Sequence, residues 1–224
     1  MQLAHATEAH ISRYANVVED LLWSTGPASY GYQLGSRDVM AALVVESWPV
    51  PGTLFGHDAA TLALADGELV GIEIGFVNPC FVARVAALGQ FIPTLVNSGA
   101  IDIADIEGVL ERSAQCAWLN PGIPSDAYYL HAIAVSPQHQ GRGVGALLMH
   151  DALNRARTAG AAALHLDVLS DNPAVDFYRA FGLECVVESR APIPFSGGVP
   201  IEYRMVMQLT ESRSESTAHD GDRS

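Results

Sequence analysis

The chain is poor in positive charge. Its 224 residues include 12 Lys and Arg against 25 Asp and Glu, a formal net charge of −13. Binding nucleic acid without sequence preference needs a basic face, so no nucleic-acid partner is expected. Cysteine is scarce as well. Cys80, Cys116 and Cys185 are odd in number and far apart. That argues against a disulfide framework and against zinc-type spacing, and it suits a reduced, cytoplasmic protein. No His/Cys cluster suited to a metal is found. The segment MQLAHATEAH has neither a basic region nor an apolar core, so it is not expected to act as a signal peptide. The longest uncharged run, Val85 to Ile101, is interrupted by Gln90, Pro93, Asn97 and Gly99, which argues against a membrane span.

What is present is a chain whose residues are 49% hydrophobic. That is enough for one domain with a proper core and too much for a mainly disordered chain. No repeat or second domain is evident. Residues 1–210 read as one domain. The stretch Glu211 to Ser224, polar and rich in serine and charge, reads as a disordered tail.

Hydrophobic periodicity orders the domain. Met1 to Thr7 is a candidate first strand. Glu8 to Trp23 reads as a helix with Ile11, Tyr14, Val18, Leu21 and Leu22 on one face, ended by Gly26-Pro27. Ser36 can cap a second helix through Val39, Met40, Leu43 and Val44. Thr61–Leu64 and Leu69–Val77 flank Asp66-Gly67 as a hairpin. In its second strand Val70, Ile72, Ile74 and Phe76 share one face, and Gly71, Glu73 and Gly75 the other. Glu73 therefore stands between two residues without side chains, which leaves space around it. Residues 78–125 carry two helical stripes. One is Phe81, Val85, Leu88 and Ile92. The other is Ile103, Ile106, Val109 and Leu110, with Asp102 as its cap. This helical insertion reads as a lid over a site, as extra core, or as a homodimer contact. Beyond Leu183, Cys185–Val187 is a strand, 192–200 a loop and Ile201–Leu209 a final strand.

The densest signal lies between Tyr128 and Leu183. The order is strand, glycine-rich turn, helix, strand, helix. The turn Gln140-Gly141-Arg142-Gly143-Val144-Gly145 runs straight into a helix. Bare N–H groups at a helix start make an anion site, and glycine lets a ligand approach the backbone. A P-loop would need Lys-Ser/Thr after the last glycine, where Ala146-Leu147 stands. A dinucleotide fingerprint would need G-x-G-x-x-G directly after a strand, but the spacing here is G-x-G-x-G and Ser136 to Gln140 intervene.

The pattern V-x-P-x-x-Q-G-x-G-x-G from Val135 to Gly145 resembles motif A of the GNAT superfamily, the acetyl-CoA-dependent N-acyltransferases. Asp171-Asn172-Pro173-Ala174, then Phe177-Tyr178 and Phe181-Gly182-Leu183, resembles that family's N-x-x-A-x-x-F-Y-x-x-x-G-F segment. Asn172 stands one residue closer to Tyr178 than the family spacing. Either the turn tightens at Pro173 or Asp171 takes the role of the Asn. The resemblance implies a GNAT fold of the α/β (α+β) class. Its central sheet would be mixed and mostly antiparallel, flanked by helices, with the insertion placed before the motif A strand. It implies acetyl-CoA, or another short acyl-CoA, as donor. The matching positions are Ile133, Ala134 and Val135 for the strand backbone. Gln140, Gly141, Arg142, Gly143, Val144, Gly145 and Ala146 match the phosphate turn, and Asp171, Asn172 and Phe177 the later segment. Arg142, Arg155 and Arg157 place local positive charge near the turn of an otherwise acidic chain.

The implied reaction is direct attack of an amine on the acetyl thioester, without a metal. An alkylammonium must first lose its proton, at a cost of about 4–5 kcal/mol at neutral pH. Glu73 and His131 are the candidate bases. His131 lies on the motif A strand in a run that looks like that of arylalkylamine N-acetyltransferases, although Tyr129 stands where those enzymes carry a second His. His57, Glu46 and Asp126 are lesser candidates, and His139 and His150 read as surface residues. Tyr178 matches the family tyrosine that assists the leaving thiolate. The expected acceptor is the primary amine of a small molecule. The alternatives are a protein N-terminus or lysine, and a non-catalytic acyl-CoA sensor.

Overall fold

The computed structural model describes residues 1–119 and 121–209. The tail expected beyond residue 210 lies outside them. The described residues form a seven-stranded sheet in the order β1-β2-β3-β4-β5-β7-β6. Its strands are β1 (Gln2–His5), β2 (Ala60–Ala65), β3 (Glu68–Val77), β4 (Ala127–Val135), β5 (Ala163–Leu169), β6 (Glu184–Ser189) and β7 (Glu202–Gln208). Every neighbouring pair is antiparallel except β4 with β5. The expected mixed, mostly antiparallel sheet flanked by helices is what the chain builds.

Local chemistry accounts for most of the elements. Helix α1 (Glu8–Thr25) buries Tyr14, Val18, Leu21 and Leu22 on its apolar stripe. Gly26 ends it, and Pro27 opens a second helix, α2 (Pro27–Leu34), which was not anticipated. Proline is read there as a stop signal, yet its fixed φ also suits a first helical position. Helix α3 (Arg37–Ser47) starts where Ser36 accepts a hydrogen bond from the Val39 N–H at 3.2 Å. Asp66 and Gly67 both adopt positive φ, 52° and 82°, and so turn the β2–β3 hairpin. The insertion is helical: α4 (Cys80–Ala87), a 3₁₀ turn (Leu88–Phe91), α5 (Ile92–Asn97) and α6 (Ile103–Cys116). Asp102 and Asp105 cap α6 reciprocally, each accepting the other's backbone N–H at 2.8 Å. By length and composition Cys80–Asn97 could cross a membrane, but it runs as those short helical pieces. Helix α7 (Val144–Thr158) follows the glycine turn, α8 (Ala174–Ala180) follows β5, and a short α9 (Pro192–Ser196) occupies the expected loop before β7.

The two faces of the sheet are covered differently. On one face α1, α3 and Trp48 pack against Leu62, Ile72, Ile74 and Tyr129. On the other, α7 lies across the sheet. Its first turns meet Ala63 and Val70, while Met149, Leu153 and Ala156 join Tyr128, Leu164 and Met205. Val70 does not share the face of Ile72, contrary to the alternation. A bulge between Ala63 and Leu64 leaves it an extra residue in the hairpin and turns it towards α7.

The same face holds Glu73, which is fully buried. The space expected around it is filled. A Cβ at Gly71 would stand 2.9 Å from the Ala134 carbonyl and 3.1 Å from Leu148. One at Gly75 would stand 2.5 Å from the Tyr128 hydroxyl. Gly71 lets α7 approach the sheet, and Gly75 makes room for a polar network. Arg155 reaches Glu73 at 2.5 Å, the Gly75 carbonyl at 2.9 Å and Thr61 at 3.2 Å, while Tyr128 donates to Glu73 at 3.2 Å. Burial pushes the Glu73 carboxyl up to about 7, against the pull of Arg155. A raised folded pKa means that stability falls as pH rises from the ordinary carboxylate range through 7. Removing Arg155 enlarges that effect. Arg155→Met is expected to cost about 3–5 kcal/mol at pH 8, where Glu73 is left charged and unpaired, and distinctly less at pH 5. Urea midpoints of both proteins at the two pH values measure the difference.

Candidate active site

The sheet opens at its centre. β4 and β5 pair only at Ala127–Ala163, Tyr128–Leu164 and Tyr129–His165. Past those residues β4 stays with β3 up to Val135, and β5 stays with β7 up to Leu169. The Ser136 N–H donates to Val70 at 2.9 Å. By the two-residue period of an antiparallel ladder, Ala132 and Ala134 then bond towards β3, and the N–H groups of Ile133 and Val135 face the gap. The diverging stretches, Leu130–Val135 and Leu166–Leu169, line a cavity of about 1360 Å³.

At one end of this cavity lies the glycine turn. Gly141 and Gly143 take φ of 71° and 83°, conformations that L side chains rarely adopt. A Cβ at either would meet nothing within 4 Å, so the turn presents bare backbone to open space. Gly143 is the N-cap of α7. The N–H groups of the first helical turn have no partner within the helix and favour an anion. Gln140 folds back and donates to the Val135 carbonyl at 3.1 Å, tying the turn to the strand. Gln140, Gly141, Gly143, Val144, Gly145 and Ala146 line the cavity. Arg142 and Arg157 are exposed and do not line the cavity, and Arg155 is committed to Glu73. What the turn offers the cavity is main chain.

On the β5 side, Asn172 and not Asp171 is engaged. Its Oδ1 accepts from the Ala174 N–H at 2.9 Å, and its Nδ2 donates to the Thr25 carbonyl at 3.4 Å. Asp171 is exposed at the rim. Asn172 thus braces the turn at Pro173 against α1. Phe177 would stand 3.6 Å from a Cβ at Gly145, and so closes the gap between α8 and the glycine turn. Tyr178 is 7% exposed. Its hydroxyl makes no hydrogen bond among the described residues and lines the cavity. Burial raises its pKa, so it keeps its proton.

The other end is a chamber roofed by the insertion. Phe81, Val85, Ile92, Ile106 and Val109 line it. Phe91, Leu95 and Ile101 anchor the insertion on Val39 of α3. On its floor His131 sits between Phe55 and Tyr129, with ring centroids 5.7 Å and 6.3 Å away. Its Nε2 is buried and has no hydrogen-bond partner among the described residues. Desolvation lowers its pKa to about 4, so the ring is neutral at physiological pH.

The other sequence candidates lie elsewhere. Glu73 is on the α7 face, not in the cavity, because Gly71 and Gly75 are taken up by Leu148 and the Tyr128 hydroxyl. His57 is buried with Nδ1 at 3.0 Å from the Trp48 carbonyl. Glu46 and Asp126 do not line the cavity. His150 is exposed, whereas His139 is half-buried, 2.9 Å from Ser136, and lines the turn end. Sequence reasoning missed Asp167 of β5 and Glu202 of β7, both on the cavity wall. Their only sequence signal is a charge inside an apolar strand. Among the described residues no cluster of His, Cys, Asp or Glu could hold a metal.

Residues 95–183 match the model of the Acetyltransferase (GNAT) family. Over those residues the chain carries a GNAT acetyltransferase domain. The streptothricin acetyltransferase of Streptomyces lavendulae is 45% identical over 51 residues, 22% of this chain and 27% of that protein. The N-alpha-acetyltransferase RimI of Mycobacterium tuberculosis is 38% identical over 64 residues, 28% of this chain and 39% of that protein. The matched stretches thus span well under half of these curated relatives. An N-acetyltransferase from Staphylococcus aureus Mu50 superposes with a TM-score of 0.65 over 92% of this chain and all of that one, at 13% identity. That likeness establishes the GNAT fold.

The neutral state of His131 has a measurable consequence. Its folded pKa is depressed, so between pH 6.5 and 4 the unfolded chain takes up a proton that the folded chain refuses. Stability is lost as pH falls through that window. His131→Phe removes this loss, and its melting temperature is expected to gain on the wild type as pH is lowered from 7 to 4.5. A gap that stays constant with pH would show that His131 is not desolvated.

Proposed function

We propose that the chain is an N-acetyltransferase that moves an acetyl or other short acyl group from acyl-CoA to the primary amine of a small molecule. One observation carries the reading. A single cavity runs from the bare glycine turn, through the gap between β4 and β5, into a chamber under the insertion. GNAT enzymes use acetyl-CoA, and the turn fits its pyrophosphate, because Gly141 and Gly143 leave the backbone open to a ligand. The N–H groups of Ile133 and Val135 are the backbone donors for the thioester oxygen, where negative charge develops. The half-buried Phe81, Ile106 and Val109 over the chamber favour a small acceptor over a protein chain. Cys80, Cys116 and Cys185 are unpaired, which supports a cytoplasmic location.

The chemistry is attack of the amine nitrogen on the thioester carbonyl carbon. The N–C bond forms, the C–S bond breaks, and the proton that the nitrogen loses is balanced by one taken up on the departing sulfur, giving the amide and the CoA thiol. Tyr178 remains protonated, so it serves the departing sulfur as a hydrogen-bond donor more readily than by full proton transfer. His131 at about 4 is too weak a base for an ammonium ion, by about 6 pKa units or some 9 kcal/mol. As a neutral ring it can accept a hydrogen bond from the attacking nitrogen.

Two variants test the reading. Gly143→Asp puts a side chain and a negative charge where the phosphates would sit, and calorimetry is expected to show at least a tenfold loss of CoA affinity in a folded protein. Tyr178→Phe is expected to lower kcat roughly ten- to a thousandfold, measured by thiol release, with acyl-CoA binding little changed. Unchanged CoA affinity in the first variant would remove the binding site from the turn. Wild-type kcat in the second, with chemistry limiting, would remove Tyr178 from the reaction. Acetylation of peptides but not of small amines would transfer the acceptor class to proteins, and CoA binding without turnover would leave a sensor.

A further inference from the structure

The cavity holds a carboxylate without a partner among the described residues. Glu202 opens β7 opposite Leu169 of β5 and Ser189 of β6, and it lines the same cavity as His131 and Tyr178. The titratable groups that face it come from every neighbouring element: Tyr30 of α2, Cys116 of α6, Tyr129 of β4, Asp167 of β5 and Arg204 of β7. Arg204 is the cation among them, and its donors are already committed. Its Nε and Nη2 reach Asp167 at 2.6 Å and 2.8 Å, Nη2 also reaches the Pro121 carbonyl at 2.8 Å, and Nη1 reaches the Gly122 carbonyl at 3.4 Å. Tyr129 donates to Asp167 as well, at 2.9 Å. Glu202 itself makes no hydrogen bond or ion pair among the described residues. Among the described residues, Glu202 when ionised therefore has no cation of its own.

Much of the surrounding wall is apolar, with Leu54, Phe55, Phe81, Val85 and Val109, and Tyr30, Gln33, Asp105 and Ser113 line the cavity as well. A carboxylate in such a place is costly until a cation joins it. We propose that Glu202 receives an ammonium group of the acceptor, and that the acceptor is an amine carried on an apolar body. This rests on the acetyltransferase reading and narrows its substrate class. The buried, unpartnered Nε2 of His131 on the same floor is a second polar group awaiting a ligand. Burial, then the nearby Asp167, raises Glu202 to about 8 against the pull of Arg204. Near pH 7 the empty site thus holds a mostly protonated carboxyl, which ionises when an ammonium arrives beside it. Binding then releases a proton to solvent.

The test titrates the CoA-saturated chain with 2-phenylethylamine and octylamine by calorimetry at pH 7, in two buffers of different ionisation enthalpy. The wild type is expected to bind with proton release. Glu202→Gln is expected to lose at least tenfold in affinity for both amines and all of the proton release, while binding uncharged 2-phenylethanol as the wild type does. Its fold is checked by melting. Because the folded pKa of Glu202 is raised, the charged form costs stability as pH rises through 8, so the variant should melt no lower than the wild type at pH 8.5. Equal affinity and equal proton release in the two proteins overturn the proposal, as does failure of the wild type to bind either amine. Thiol release from acetyl-CoA on the same samples separates the two readings. Amine acetylation with Glu202→Gln indistinguishable from wild type removes the Glu202 assignment alone. Glu202-dependent binding without thiol release keeps that assignment and removes the acetyltransferase reading.

Discussion

The parting of β4 from β5 is the constraint on which the rest depends. Parallel strands that pair at three positions and then separate leave backbone groups of both without a ladder partner. Such groups are tolerable only if something else satisfies them, and the gap is where a ligand with its own polar groups can lie. The halves are held apart by separate commitments. β4 is fastened along its length to β3, and β5 to β7. Sheet twist, accumulating on each side, carries the strands away from each other. Helix α7 spans both halves from one face, so the sheet opens without falling into two pieces.

Two carboxylates show how the faces divide the work. Glu73 is sealed beneath α7 and answered by Arg155, Tyr128 and two glycines that make room for the network. It joins the helix to the sheet and has no access to the cavity. Glu202 is on the opposite side, in a chamber where the available arginine already serves Asp167. Burial raises both. Among the described residues only the second lacks an internal partner. A raised pKa thus marks a structural lock in one place and an open valence in the other, and hydrogen-bond bookkeeping tells them apart.

The insertion converts an open groove into a chamber. Its apolar residues both anchor and line. Phe91 grips α3, Leu95 and Ile101 grip it and also line the cavity, and Phe81, Ile92 and Val109 face the cavity. The succession of short helices at Cys80–Ala87, Leu88–Phe91 and Ile92–Asn97 gives the segment several faces.

Much of this was legible in the chain itself, because it depends on short range. The glycine turn, the capped helices, the hairpin and the family's motif spacing are set by residues a few positions apart. Steric and hydrogen-bond rules act directly on such neighbours. They located the fold, and the glycine turn and Tyr178 they single out line one cavity. The sequence left Asp171 and Asn172 as alternatives, and read Glu73 as lying in open space. Both questions turned on distant groups: the Thr25 carbonyl that Asn172 reaches, and the Leu148 and Tyr128 side chains that fill the space beside Glu73. Asp167, Arg204 and Glu202 carry no motif. Their meaning comes from which carboxylate captures the single arginine, and that was decided only when β5 and β7 were brought side by side. Short-range sterics are written in adjacent residues, but the pairing of buried charges is a property of the packed whole.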